Sequence, residues 1–133
     1  ECGLNLKMSD DKKTVVIVDD NATVRALFAR STEDLNLDLI SFDCAETAMV
    51  YLKDNKPSLL FLDIIMPVKD GFTFLSELRR LELHRDTSVI MITSKDYAQD
   101  RTTANELGAL EFITKPMPMR AITDIISKYI SKI

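Results

Sequence analysis

The chain has 133 residues, which suits one domain with a single hydrophobic core. Hydrophobic residues make up 46% and charged residues 29% of it, a composition that excludes a disordered chain and is typical of an ordinary globular protein. The net charge is −4 and the lysines and arginines are scattered, which argues against direct nucleic-acid binding. No apolar stretch reaches the roughly 18 residues of a membrane-spanning helix, so we expect no membrane contact.

The cysteines indicate a reducing compartment. Cys2 and Cys44 are too few for a disulfide framework and lack the spacing of metal ligands. We therefore expect a cytoplasmic protein in which Cys44 packs as a small apolar residue.

Residues 1–11 are expected to be an N-terminal extension of a domain that covers residues 12–133. Met8 has the character of a natural start. Residues 1–7 are therefore either an artificial addition or a sign that the chain was cut from a longer protein, and the sequence leaves both possibilities open.

Five short apolar runs follow one another along the chain. They cover residues 14–18, 37–42, 58–62, 88–92 and 110–114. Three of the runs are almost continuous in Val, Ile, Leu, Phe or Met, which is typical of strands buried on both faces of a parallel sheet.

A segment with helical spacing follows each run. Apolar residues recur at this spacing in the first segment, at Val24, Leu27 and Phe28, and most regularly in the last, from Ile122 to Ile133. The segments between them cover residues 45–54, 72–83 and 97–107. The segment 97–107 has the fewest apolar residues, so we expect a loosely held helix that can move. The alternation predicts an α/β fold, an open five-stranded parallel sheet with five flanking helices.

Polar side chains follow four of the five predicted strands. Asp19 and Asp20 follow the first strand, Asp63 the third, Thr93 the fourth and Lys115 the fifth. Because right-handed crossovers bring the carboxyl ends of parallel strands to one edge, we expect these groups to converge there. Three carboxylates in one cleft favour a hard cation such as Mg²⁺. A carboxylate can also attack phosphorus, while the cation, a hydroxyl and an ammonium neutralise the transferred charge.

Each of these residues taken alone has a simpler interpretation. Asp20 could cap the following helix, and Lys115 could be an ordinary surface charge. Their joint placement at strand ends favours the functional interpretation.

Other chemistries fit the sequence poorly. The three glycines lie far from the end of the first strand, which excludes a dinucleotide-binding G-x-G-x-x-G motif and a Walker A loop. The single histidine, His84, is expected to be an exposed surface residue, which argues against a Ser-His-Asp or Cys-His hydrolase.

Four segments together resemble the receiver domain of two-component response regulators, of the kind found in chemotaxis. They are "VVIVDDN", "LLFLDIIMPVKDGF", "VIMITS" and "GALEFITKPM", within a resemblance that covers residues 12–133. The resemblance implies a flavodoxin-like sheet with strand order 2-1-3-4-5 and five flanking helices.

The resemblance also implies roles for the acidic residues. Asp63 is then the phosphoacceptor, which takes a phosphoryl group from a phosphohistidine on a sensor histidine kinase or phosphotransfer protein. Asp20, Asp63 and the backbone carbonyl of Ile65 would bind Mg²⁺ directly, and Asp19 would bind it through water.

The remaining implied roles concern the response. Lys115 and Thr93 would contact the phosphoryl oxygens. Thr93 and Phe112 would form the switch that changes the surface of the fourth helix, fifth strand and fifth helix, to control a downstream protein or output domain. The chain would be a monomer or a weak, phosphorylation-dependent dimer.

Two positions tune the phosphoryl lifetime in such domains, and here they are Ile65 and Lys95. A branched apolar side chain and a lysine offer no group to orient an attacking water, so slow autodephosphorylation is expected.

Two rival functions are weaker. A Mg²⁺-dependent phosphatase with an aspartyl nucleophile needs an aspartate where Ile65 stands. A partner-binding domain without phosphorylation would not need the acidic pair Asp19 and Asp20, and it would need neither Asp63 nor Lys115. We therefore expect a signalling domain that catalyses only its own phosphorylation and dephosphorylation, and no other enzymatic activity.

Overall fold

The computed structural model describes residues 12–130. The predicted N-terminal extension, with Cys2 and Met8, and the end of the last predicted helix, with Ile133, lie outside the described residues. The predicted boundary of the domain at residue 12 therefore stays a prediction.

Strands and helices alternate along the described chain. The strands are β1 (Lys13–Val18), β2 (Leu37–Phe42), β3 (Leu59–Asp63), β4 (Val89–Thr93) and β5 (Glu111–Thr114). The helices are α1 (Ala22–Thr32), α2 (Ala45–Leu52), α3 (Gly71–Arg80), α4 (Ala98–Glu106) and α5 (Met119–Tyr129), with a short 3-10 helix at Glu82–His84. Among these helices, none is long and apolar enough to cross a membrane.

The strands form one parallel sheet in the order β2-β1-β3-β4-β5, which confirms the predicted fold. All residues of β3 and β4 are buried, as their continuous apolar sequences predict. The register pairs Asp63 with Ile92 and Thr93 with Thr114, so the ends of β3, β4 and β5 lie side by side.

Helices cover both faces of the sheet. On one face α2, α3 and α4 pack over inward residues of the central strands, such as Val16 and Leu62. On the other face α1 and α5 pack over the alternate residues. There Phe28 of α1 meets Phe61 of β3 edge to face, with ring centroids 4.8 Å apart.

The helix α4 has the smallest buried surface of the five, as its sequence predicts. Ala104 is the one buried side chain between Ala98 and Glu106. A single alanine supplies little apolar burial, so this helix is held more weakly than its neighbours.

The prediction that His84 is exposed is wrong, because the 3-10 helix turns its side chain fully into the interior. Its Nε2 donates to the carbonyl of Leu52 at 2.5 Å, and its Nδ1 accepts from the hydroxyl of Thr87 at 2.7 Å. Both ring nitrogens are thus paired within the protein, which is what makes burial of a polar ring tolerable.

Cys44 also differs from its prediction. It is half-buried at the N-terminus of α2 rather than packed in the core, and its Sγ lies 3.3 Å from Oγ1 of Thr47.

We expect His84→Ala to lower the free energy of unfolding by about 3 kcal/mol, because it opens a cavity and leaves two buried hydrogen-bonding groups without partners. Urea unfolding measures the loss. Glu82→Ala is the matched control in the same turn, where the side chain is exposed, and should change stability little. Equal effects of the two substitutions would contradict the structural role of His84.

Candidate functional site

Three carboxylates lie together at the carboxyl edge of the sheet. Asp19 and Asp20 follow β1, and Asp63 is the last residue of β3. One carboxylate oxygen from each lies within 4.8 Å of the others. Asp19 is fully buried and Asp63 is 2% exposed, whereas Asp20 is exposed. The structure therefore forms an acidic pocket in which Asp19 and Asp63 are buried and Asp20 lies on the side open to solvent.

The start of α1 is capped by Asn21, so the alternative in which Asp20 caps this helix is wrong. The side chain of Asn21 accepts from the backbone N–H groups of Thr23 and Val24, at 2.8 and 3.3 Å. In turn, Asp19 Oδ1 accepts from the N–H of Asn21 at 2.8 Å. The cap thus orients Asp19 and leaves Asp20 at the open side of the pocket.

The loop from β3 to α3 closes tightly against Asp63. Asp70 caps α3 by accepting from the N–H of Thr73 at 2.8 Å, and the N–H of Gly71 donates to the carbonyl of Ile64 at 2.7 Å. A Cβ atom at Gly71 would lie 2.2 Å from the carbonyl oxygen of Asp63. Only glycine allows this approach, so the Asp-Gly pair fixes the backbone that carries the candidate phosphoacceptor.

Lys115, directly after β5, is the cation that faces the pocket. Its Nζ lies 2.8 Å from Asp19 Oδ2 and 3.4 Å from Asp63 Oδ2. Its backbone N–H donates to the carbonyl of Thr93 at 2.7 Å, which ties the ends of β4 and β5 together. Even with a guanidinium group from Arg25 at the carbonyl oxygen of Asp19, two cationic groups cannot balance three carboxylates, so the pocket keeps a negative charge.

Burial and this negative charge both change the pKa of Asp63. Burial, and next the nearby carboxylate of Asp19, raise the pKa of Asp63 to about 7, while Lys115 lowers it less strongly. A pKa this high means that neighbouring cationic groups of the protein balance the negative charge of Asp63 only in part.

The pocket is able to hold a metal ion. Asp19 Oδ2 is buried and accepts no hydrogen bond of good geometry within residues 12–130, although it pairs in charge with Lys115. The carbonyl of Ile65 also accepts none from the described part of the chain. Carboxylate oxygens are ligands of hard divalent cations, so the three aspartates fit Mg²⁺.

The residues predicted to act as switch and lifetime residues lie on or after β3, β4 and β5. Thr93 ends β4 and is fully buried, and its Oγ1 accepts from the N–H of Lys95 at 3.2 Å. The side chain of Lys95 is exposed, and that of Ile65 is 50% exposed. Phe112 lies half-buried in β5 with the guanidinium carbon of Arg101 4.7 Å from its ring centroid.

One residue of the pocket was missed by the sequence reasoning. Arg25, in α1, donates from Nη1 to the carbonyl oxygen of Asp19 at 2.7 Å. Its position beside the apolar stripe of an amphipathic helix looks like an ordinary surface position, so no pattern in the sequence marks it.

The fold and this pocket are those of a response regulator receiver domain. The family model of that domain matches residues 15–127, and the chain belongs to this family, whose members serve two-component systems.

Three known proteins illustrate the similarity. The chain is 33% identical over 110 residues to the phosphate regulon transcriptional regulatory protein PhoB of Pseudomonas aeruginosa, which covers 83% of this chain and 48% of that protein. Its structure is similar to that of the Vibrio cholerae chemotaxis protein CheY4, with a TM-score of 0.83 and 18% identity over 90% of this chain and 99% of the other. It also resembles a phosphorylated cyanobacterial phytochrome response regulator, RcpA, with a TM-score of 0.83 and 20% identity over 90% and 95% of the two chains.

The chain spans less than half the length of PhoB and of several other curated relatives that it matches. The shared part is the receiver domain, so the similarity concerns that domain and not the remaining length of those proteins.

Proposed function

We propose that this domain is a phosphorylation-controlled switch in which Asp63 accepts a phosphoryl group from a phosphohistidine on a sensor histidine kinase or phosphotransfer protein. The observation that carries the proposal is the placement of Asp63 at the carboxyl edge of the sheet. Its carboxylate is almost fully buried, and it lies close to two other carboxylates and to the ammonium group of Lys115. Phosphorylation of RcpA, which has the same fold, supports it.

In the proposed reaction, a carboxylate oxygen of Asp63 attacks phosphorus. The P–O bond to the aspartate forms as the P–N bond to the donor histidine breaks, and the histidine leaves with the electron pair of that bond. Lys115 Nζ, already 3.4 Å from Asp63, moves its charge toward the phosphoryl oxygens, and the Thr93 hydroxyl donates to them.

The pocket would hold Mg²⁺ through Asp20, Asp63 and the carbonyl of Ile65, with Asp19 acting through water. When bound, the cation neutralises the carboxylates and the phosphoryl oxygens, which lowers the repulsion that an anionic donor meets.

The response is proposed to spread to the surface of α4, β5 and α5, which contacts a downstream protein or output domain. Conversion of the Asp63 carboxylate to an acyl phosphate raises the negative charge of this side chain from about one to about two, at the end of the strand beside the one that Thr93 ends. Since α4 buries only Ala104, a modest change at Thr93 and Phe112 can alter its position. The domain would remain a monomer or form a weak dimer when phosphorylated.

The phosphorylated form is expected to be long-lived. Ile65 presents an exposed apolar side chain beside the site, and neither it nor Lys95 offers a carboxylate or amide to orient a water molecule. The half-life of the phosphorylated protein in Mg²⁺, followed by phosphate release, measures this property. Lys95→Glu should shorten the half-life, and decay of the unmodified protein within seconds would contradict the prediction.

The test of the proposed function is intact mass after incubation with acetyl phosphate. In Mg²⁺ we expect a gain of one phosphoryl group, and with a chelator in place of Mg²⁺ we expect none. Asp43→Asn is a matched control, since Asp43 follows β2 at the same edge but lies outside the acidic cluster, and it should gain the group normally. No gain in Mg²⁺ would contradict the proposal.

A further inference from the structure

Arg101, near the start of α4, joins three elements of the domain. Its Nε and Nη2 donate to the two carboxylate oxygens of Asp96, at 2.6 and 2.9 Å, in the loop between β4 and α4. Its guanidinium carbon lies 4.7 Å from the centroid of the Phe112 ring in β5. The arginine therefore bridges the loop, the helix and the aromatic residue of the proposed switch.

These contacts matter because little else holds this end of α4. Ala104 is the single buried side chain of the helix, so apolar packing contributes little to its attachment. An exposed ion pair or a cation–π contact is individually weak. Two such contacts made by one side chain nevertheless contribute a large share of the attachment of α4, because the apolar packing of this helix is small.

The loop that Arg101 holds is also tied to the candidate site. The N–H of Lys95, next to Asp96, donates to Thr93 Oγ1 at 3.2 Å. Two adjacent residues of the loop are thus bound, one to the hydroxyl that would contact a phosphoryl group and the other to Arg101. Movement of Thr93 toward a phosphoryl group on Asp63 pulls on the same short segment.

We propose that Arg101 is a positioning residue that holds Phe112 and the loop containing Asp96 in the unphosphorylated arrangement, so that phosphorylation of Asp63 has to release it. This regulatory role rests on the proposed function. Removal of the arginine raises the population of the arrangement that reacts with the phosphodonor, and the rate of phosphorylation rises in proportion to that population.

The test is the initial rate of phosphorylation by acetyl phosphate in saturating Mg²⁺. We expect Arg101→Ala to be faster than the unmodified chain by about threefold to tenfold. Arg101→Lys should be accelerated nearly as much, because lysine lacks the planar, bidentate guanidinium. In a Phe112→Ala background, Arg101→Ala should accelerate the reaction much less, since the two residues act together.

Lys56→Ala is the matched control. Lys56 also forms an exposed ion pair, with Asp86 at 2.5 Å, outside α4, β5 and α5, and it should leave the rate unchanged. Thermal unfolding of each variant separates the positioning role from a merely structural one, which would lower the midpoint without raising the rate.

The outcomes distinguish this inference from the proposed function. If the unmodified chain is phosphorylated and Arg101→Ala reacts at the same rate or more slowly, the role of Arg101 is overturned and the phosphoacceptor proposal stands. If neither chain is phosphorylated in Mg²⁺, the proposed function fails, and the role of Arg101 fails with it.

Discussion

Asp63→Asn is expected to abolish phosphoryl acceptance and, at the same time, to stabilise the domain at pH 8 in the absence of divalent cations. Asparagine keeps the size of the side chain but cannot act as the carboxylate nucleophile. It also removes a charge from a buried pocket in which Asp19 is 0% exposed and Asp63 2%. Loss of activity with a gain of stability is the signature of a residue retained for function.

The direction of the stability change follows from the pKa of Asp63, which is raised from 3.8 to about 7. The folded protein then binds this proton more tightly than the unfolded chain does. The stabilisation from Asp63 is fully present below about pH 4, and it is lost as the pH rises through about 7. At pH 8 the ionised carboxylate of Asp63 destabilises the folded protein, so Asp63→Asn should raise the free energy of unfolding by about 2 kcal/mol.

Urea unfolding with a chelator at pH 5 and pH 8 measures this effect. The gain from Asp63→Asn should be much larger at pH 8 than at pH 5, and saturating Mg²⁺ at pH 8 should stabilise the unmodified protein more than the variant. Asp43→Asn, an exposed carboxylate at the same edge, should show neither effect. A stability loss at pH 8 on replacing Asp63 would contradict the account of the charge in this pocket.

Lys115→Met is expected to have the second largest effect. Its Nζ is the ammonium group that pairs with Asp19 and Asp63 in the described structure, at 2.8 and 3.4 Å. Methionine keeps most of the aliphatic stem and removes the charge, which leaves two buried carboxylates facing each other. We expect the free energy of unfolding to fall by about 3 kcal/mol in chelator at pH 8.

The same substitution should slow phosphorylation by acetyl phosphate by about a hundredfold or more, since a charge that faces the transferred group is lost. Mg²⁺ should restore part of the stability but not the rate. Lys95→Met is the matched control, because Lys95 is an exposed lysine at the same edge, and it should change stability by less than about 0.5 kcal/mol. Similar losses in the two variants would argue against a specific role of Lys115.

The sheet and the convergence at its edge could be predicted because both follow from repeated, local patterns. Buried parallel strands are continuous apolar runs, and parallel order brings their ends together whatever the loops do. Asp63 and Thr93 were located in this way, since each is the last residue of its strand. Their chemical roles came from the resemblance and remain predictions.

The details that were missed depend on three-dimensional approach rather than on pattern. The polar neighbours of His84 predict a surface position, but the 3-10 helix turns its side chain toward Leu52, 32 residues away in the chain. The cap by Asn21 and the approach of Gly71 to Asp63 likewise depend on backbone geometry. The long side chain of Arg25 reaches the carbonyl oxygen of Asp19, a contact that the spacing of apolar residues along α1 does not predict.

The central claim is that Asp63 is the residue that carries the phosphoryl group. Its most direct test is localisation of the group after incubation with acetyl phosphate and Mg²⁺, by borohydride reduction of the acyl phosphate, proteolysis and peptide sequencing by mass spectrometry. We predict reduction of Asp63 alone, in the peptide that contains "LLFLDIIMP". Reduction at Asp19 or Asp20 with Asp63 unmodified would contradict the claim.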